Sequence, residues 1–251
     1  MSLSFELTGA IGSGQRVAFL HGFTQTGRSW LPVTDGLPSF ESMLIDAPGH
    51  GGSAEVKADL PAGAEMVAAT MKRGALVGYS MGARFALHTV LRAPDTVDSL
   101  VLVSGTPGIE DETERAARRR ADDALADRIE SIPLADFLDE WLANPMFDGL
   151  DHESRNMADR LRNTPAGLAS SLRLAGTGTQ QPLWDRLDAI MCPVLIVCGS
   201  RDPKFVDIAR RMKDRIASSE IVEIEDSGHT VHLEQTARFT VLLTEWLSAR
   251  Q

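Results

Sequence analysis

The sequence predicts an α/β protein: a mostly parallel central sheet flanked by helices, with a helical cap inserted late in the chain. Three observations carry that expectation. Short apolar runs alternate with longer stretches of helical periodicity, the pattern of a parallel sheet covered on both faces. One long segment, residues 108–182, interrupts the alternation with helix formers alone. The length, 251 residues at 43% hydrophobic and 24% charged, suits one such domain with an insertion.

In chain order, the expected strands are Val17 to Leu20, Met43 to Asp46, Ala75 to Gly78, Leu100 to Val103, Val194 to Cys198 and Ile221 to Ile224. The first five are continuous apolar runs ending in small or polar residues. Met81 to Leu91 lacks proline and carries apolar residues at helical spacing until Pro94 ends it. Phe205 to Ile216 and Phe239 to Leu247 read the same way. Within the interruption, Glu112 to Glu130 is rich in Ala, Arg, Asp and Glu, while Leu134 to Leu142 and Leu161 to Ala175 are amphipathic. Gly176-Thr177-Gly178-Thr179 has the look of a return loop. A solvated helical excursion would have this composition too. Because the sheet pattern resumes near Cys192, residues 108–182 are expected to form a cap over a site at the strand ends. Residues 1–107 and 183–251 would then be the core.

The net charge of −10 argues against a general binder of nucleic acid or membrane surfaces, which would show a basic excess. No stretch approaches the roughly 20 apolar residues of a bilayer span, so no membrane insertion is expected. The N-terminus shows neither the basic nor the apolar region of a secretory signal. Cys192 and Cys198 flank an expected strand, about 20 Å apart at roughly 3.3 Å per residue. That is too far for a disulfide, and the pair reads as core thiols in a reducing cytoplasm. Cysteine and histidine spacing matches no zinc site, and no metal or organic cofactor is expected. Of the 25 basic residues, 21 are Arg. Either a GC-rich genome or a use for the bidentate guanidinium fork would give that bias.

The chemistry centres on Gly78-Tyr79-Ser80-Met81-Gly82, a G-x-S-x-G sequence between an expected strand and an expected helix. In that context the glycines permit a tight turn that lifts the Ser80 hydroxyl above the sheet, beside a helix N-terminus. Two companions of such an elbow are present. His21-Gly22-Phe23 follows an earlier strand, so the N–H groups of Phe23 and Met81 could serve a developing oxyanion. Ser227-Gly228-His229 follows the last strand, and Asp202 follows the strand before it. The order Ser80, Asp202, His229 is that of α/β-hydrolases and not of chymotrypsin or subtilisin. His232 as base and Asp226 as acid are the alternatives. The first lacks a preceding glycine, and the second stands only three residues from His229. His50 reads as a loop residue, His88 as a helix-packing or surface residue, and His152 as solvated.

Together the HGF loop, Asp46-Ala47-Pro48-Gly49-His50-Gly51-Gly52-Ser53, the elbow and the late Gly228-His229 resemble the α/β-hydrolase superfamily over residues 17–235. Further features narrow the resemblance: Arg84 four residues after Ser80, the arginine run around Arg118, and Trp141-x-x-x-Pro145-x-Phe147. Leu161-Arg162-Asn163, Gly176-Thr177-Gly178-Thr179-Gln180 and Gly199-x-Arg201-Asp202-x-Lys204-Phe205 complete the set. It is similar to the menaquinone-pathway 2-succinyl-6-hydroxy-2,4-cyclohexadiene-1-carboxylate synthases.

That resemblance implies a lyase on a hydrolase scaffold, which eliminates pyruvate from a small polycarboxylate, 2-succinyl-5-enolpyruvyl-6-hydroxy-3-cyclohexene-1-carboxylate. It further implies that Arg84, Arg118 and Arg162 bind carboxylates, that Tyr79 and Trp141 line the pocket, and that Ser80 acts as a base. In so Arg-rich a chain each arginine could instead be a surface residue, Arg118 above all, since Arg119 and Arg120 follow it. Leu142 stands where relatives often carry an aromatic, and Ala83 where a glycine is frequent. Spacing alone also fits a hydrolase of small acidic esters, lactones or C–C bonds with Ser80 as nucleophile, or a ligand-binding receptor on the same fold.

Overall fold

The computed structural model describes residues 2–12 and 14–250 and holds a seven-stranded sheet. In chain order the strands are β1 (Phe5–Gly9), β2 (Gln15–Leu20), β3 (Phe40–Ile45), β4 (Gly74–Tyr79), β5 (Val97–Val103), β6 (Val194–Gly199) and β7 (Ser219–Ile224). Across the sheet they run β1-β3-β2-β4-β5-β6-β7. Every neighbour is parallel except β1, which pairs antiparallel with β3, Phe5 opposite Ile45 and Gly9 opposite Glu41. All six expected strands are present. β1 was not among them, because this partly exposed edge strand is held by pairing with β3 and carries almost no apolar run.

The helices are α1 (Leu31–Thr34), α2 (Leu60–Met71), α3 (Met81–Arg92), α4 (Glu112–Ser131), α5 (Leu134–Leu142), α6 (Met157–Arg160), α7 (Pro165–Ala175), α8 (Pro203–Arg215), α9 (Val231–Glu234) and α10 (Thr236–Ser248). The sequence reading lacked α2, although its start is well signed: the Asp59 carboxylate caps the Ala62 N–H at 2.8 Å and Pro61 occupies the first turn. The expected helix from Leu161 to Ala175 is a second difference. Its first four residues are a turn that follows α6, and only α7 is helical, because Thr164 caps Gly167 and Pro165 starts the helix.

Alternation along the strands builds two cores. Leu76, Leu100, Leu102 and Ile196 face one side with Phe85 and Leu87 of α3, while Val77, Val101, Val103 and Val197 face the other with Phe239, Leu243 and Trp246 of α10. Each such fully buried side chain contributes roughly 1.5–3 kcal/mol relative to exposure. These layers make the sheet rigid where β4, β6 and β7 end, which is where the site lies.

Between β5 and β6 the described residues form helices only. They have a small core of their own, in which Ala126, Ile129, Phe137, Leu138, Leu168 and Leu172 join α4, α5 and α7. Most of α4 is solvated: only Asp122, Ala126 and Ile129 are buried. No described helix is long and apolar enough to cross a membrane.

Candidate active site

Ser80 sits between β4 and α3 with φ 50° and ψ −105°, left-handed backbone strained for a residue with a Cβ. The strain is sustained by close packing on either side. A Cβ on Gly78 would lie 2.5 Å from the Gly82 carbonyl oxygen, and one on Gly82 would lie 2.2 Å from that of Leu20. The Ser80 N–H donates to the Val103 carbonyl at 2.9 Å, tying the elbow to β5.

His229 reaches this turn from the loop after β7. Its Nε2 lies 3.0 Å from Ser80 Oγ and its Nδ1 lies 2.9 Å from Asp202 Oδ2. Asp202 comes from the end of β6 and also caps α8 through the Phe205 N–H at 3.3 Å. Phe205 packs its ring 4.5 Å from the His229 ring. The His229 loop is braced by a residue the sequence reading missed. Glu234 on α9 accepts from the N–H groups of Gly228 at 2.7 Å and Thr230 at 2.9 Å, one on each side of His229.

The alternatives for base and acid are otherwise engaged. His232 is buried between Trp30 and Tyr79, with centroids at 4.2 and 4.4 Å, and burial pushes it down to about 3. Asp226 pairs with Arg201 at the surface. His50 is buried against His21 and Phe23, and desolvation and the His21 ring hold it neutral, at about 3. His88 lies on α3, lowered to about 4 by burial, and His152 is exposed.

The oxyanion-loop reading has a definite geometry. His21 Nδ1 donates to the Gly22 carbonyl at 2.8 Å, while its Nε2 accepts from the Ala47 N–H at 3.1 Å. Those bonds fix the tautomer and the start of the loop, and burial keeps the ring neutral, near 4. No hydrogen bond among the described residues uses the N–H of Phe23 or of Met81. Both residues line the cavity that Ser80 opens into.

That cavity has a volume of about 1000 Å³. Tyr79 and Trp141 line it, as expected for pocket aromatics. The Tyr79 hydroxyl is 3.1 Å from Thr230 Oγ1, and burial raises its pKa, so it stays a neutral phenol. Trp141 stands edge-on to Phe23 at 5.4 Å, and its indole N–H is buried without a partner among the described residues.

The arginines divide. Arg84 lines the cavity, is buried, and donates to the Ala175 carbonyl at 2.6 Å. Desolvation, with the nearby Arg118 charge, pulls it down to about 10, still a cation at neutral pH. Arg118 also lines the cavity; its Nε donates to the buried Asp122 carboxylate at 2.7 Å and its side chain is 42% exposed.

Arg162 is the correction. It points outward, 57% exposed, beyond the cavity, with only a distant Asp159 at 3.9 Å. Arg160, two residues earlier, faces the cavity instead. It is 2% exposed, lines the cavity, and is lowered to about 10 chiefly by burial. Its inward side chain is held by the Arg155 carbonyl, to which Nε donates at 2.8 Å, and by Thr24 Oγ1, contacts that sequence spacing does not reveal. Among the described residues, neither Arg84 nor Arg160 is ion-paired with a carboxylate.

The described residues contain no cluster of His, Cys, Asp and Glu able to hold a metal. Cys192 and Cys198 are both free thiols, raised to about 11 and 12 by burial.

Comparison with known proteins follows the same lines. The sequence matches the Alpha/beta hydrolase family over residues 17–241. It is 33% identical to the 2-succinyl-6-hydroxy-2,4-cyclohexadiene-1-carboxylate synthase of Klebsiella pneumoniae, over 97% of this chain and 99% of that protein. A Bacillus subtilis protein that carries the same name provisionally is 35% identical, over 94% of this chain and 92% of its own. The structure of MenH from S. aureus superposes with a TM-score of 0.91 at 30% identity, over 100% of both chains.

Proposed function

The chain belongs to the α/β hydrolase family, and we propose that it uses this scaffold as a carbon–oxygen lyase, a 2-succinyl-6-hydroxy-2,4-cyclohexadiene-1-carboxylate synthase. The substrate would be 2-succinyl-5-enolpyruvyl-6-hydroxy-3-cyclohexene-1-carboxylate, a small molecule with three carboxylates. One observation carries this reading beyond kinship. Two buried guanidiniums, Arg84 and Arg160, face the cavity of Ser80, and among the described residues no carboxylate forms an ion pair with either. Buried charge without a partner is costly, and an anionic ligand supplies the partner. Arg118 adds a third cation, oriented by Asp122, and the Trp141 indole a neutral donor.

The chemistry follows from the relay. Asp202 holds the Nδ1 proton of His229, so Nε2 faces Ser80 as the acceptor and raises its basicity. Ser80 removes the proton from the ring carbon that bears the succinyl chain. The electron pair passes to the succinyl ketone oxygen, an enolate that the Phe23 and Met81 N–H groups stabilise. When the enolate collapses, the ring double bond shifts, the carbon–oxygen bond breaks, and enolpyruvate leaves to become pyruvate. The proton on His229 balances the departing anion. No acyl-enzyme is required. A substrate of this charge cannot cross a bilayer unaided, and with two free cysteines it supports a cytoplasmic setting.

The test supplies the enolpyruvyl substrate and follows pyruvate by coupled NADH oxidation, with a panel of nitrophenyl esters beside it. Pyruvate release well above the spontaneous rate is expected. Fast ester turnover with no enzyme-dependent pyruvate would sink the lyase and leave a hydrolase.

A further inference from the structure

Thr24 directly follows Phe23 and has φ 69°, a left-handed conformation that a β-branched residue avoids. Something must hold it. Hydrogen bonds internal to the loop involve Gly22 and Gln25: the Gly22 N–H donates to Gln25 Oε1 at 2.9 Å and the Gln25 N–H to the Gly22 carbonyl at 3.2 Å. Neither touches Thr24. Its partners are Arg160 and Asn163, at the end of α6 and in the turn that leads to α7.

Asn163 is buried, and its side-chain amide donates to the Thr24 carbonyl at 2.8 Å and more distantly to that of Gln25 at 3.4 Å. Its Oδ1 accepts from the Gly51 N–H at 2.9 Å, so one side chain joins the loops after β2 and β3. Arg160 donates to Thr24 Oγ1. Asp159, also buried, accepts from Thr26 Oγ1 at 2.6 Å and from the Thr26 N–H at 3.2 Å. The contacts to Thr24 and Thr26 span more than 130 residues of sequence, and the Thr24 conformation has no hydrogen bond from its own loop to hold it.

We infer that Asp159 and Asn163 are positioning residues for the oxyanion hole: Asn163 holds Thr24 in its left-handed conformation, Asp159 anchors Thr26 two residues on, and together they aim the Phe23 N–H at the reacting oxygen. Neither residue touches substrate in this account. The assignment rests on the lyase reading only in naming the reaction, since an oxyanion hole would serve a hydrolase equally. It also means that this edge of the helical segment belongs to the catalytic frame and does not lift away when substrate enters.

Asn163→Asp tests this with little change of shape. The carboxylate still accepts from Gly51 but donates nothing to Thr24. Pyruvate release should lose about 30-fold in kcat with KM within about threefold, a partial version of the hundredfold or greater loss of an oxyanion donor. Thr24→Gly in the same chain should restore about tenfold of kcat, because glycine adopts the left-handed backbone without restraint. A role in stability alone would give no such rescue. Hydrogen–deuterium exchange supplies a readout independent of any substrate. The segment 21–26 should exchange faster in Asn163→Asp while α3 is unchanged. Unaltered exchange there, or a loss confined to KM, overturns the inference. A wild-type protein that releases no pyruvate overturns the lyase reading instead, and the exchange result still decides this one.

Discussion

The cavity has two walls built by different means. On the sheet side, Ser80, His229 and Asp202 stand at strand ends, spaced 3.0 and 2.9 Å apart. A strained elbow, the Asp202 cap on α8 and the Glu234 brace on the His229 loop hold them. On the helical side, recognition rests on long cations. Arg118 is held by one carboxylate at 2.7 Å and is 42% exposed, and Arg160 is held by the Arg155 carbonyl and Thr24 Oγ1. Reactive groups need sub-ångström placement and are set on the rigid layer. Groups that only bind can sit on elements with smaller cores. The contrast makes a kinetic claim: changes on the sheet side should act on kcat, and changes to the exposed cation of the helical side, Arg118, should act first on KM.

The largest effect should come from the sheet side. Ser80→Ala and His229→Ala should each cut kcat for pyruvate release by about 10⁴-fold, with KM nearly unchanged. Because the triad acts as a unit, the double variant should lose little more than either single one. A KM change as large as the kcat change would break the division of labour between the walls.

A paired test sharpens the helical side. Arg160→Ala should lower kcat/KM by about 100-fold or more, since it strips a buried cation from a carboxylate and a bond from Thr24. Arg162→Ala, two residues away, should leave both constants within about twofold, as exposed side chains do. Equal losses from the two would mean the turn is arranged differently in solution.

That pair also marks how far the sequence could be read. Gly78, Ser80, Gly82, Asp202 and His229 were legible because a strained turn and two strand-end loops demand particular residues at particular places. Their positions follow from the local chain. Arg160 was not legible, because its inward aim depends on the Arg155 carbonyl and on Thr24 across the fold. Asn163, Asp159 and Glu234 escaped for a related reason: their partners are backbone groups and, for Asp159, the hydroxyl of Thr26 133 residues away, which leave no trace in local side-chain pattern. β1 shows the same limit in the fold, an edge strand defined by its neighbour.

Arg118 should show a smaller and different signature. Arg118→Ala is expected to raise KM about tenfold with kcat within about threefold, and the effect should shrink at high salt, because a half-exposed cation is screened. A fall in kcat instead would place Arg118 on the reacting ring and extend the catalytic frame beyond Asp159 and Asn163 to α4.

The smallest effect concerns stability, and it separates the walls by pH. His21, His50, His88 and His232 are buried and neutral, lowered to about 4, 3, 4 and 3 mainly by desolvation, and none lies in residues 108–182. The unfolded chain takes up a proton at each below about pH 6.5, whereas the folded chain does not until far lower. Their contribution is therefore complete above pH 6.5 and is lost as pH falls from there toward 4. Each histidine adds at most about 1.4 kcal/mol per pH unit to that slope. The one histidine of the helical segment, His152, is exposed, so acid should loosen the sheet side first. His232→Phe isolates one member, since a phenyl ring fits between Trp30 and Tyr79 and removes two unpartnered nitrogens. Denaturant unfolding between pH 4.5 and 7 should show a flatter pH dependence for that variant by about one proton, and a gain of roughly 1 kcal/mol at pH 7. An unchanged slope would mean that His232 reaches water in the folded state, and that the wall behind the triad is less closed than its packing indicates.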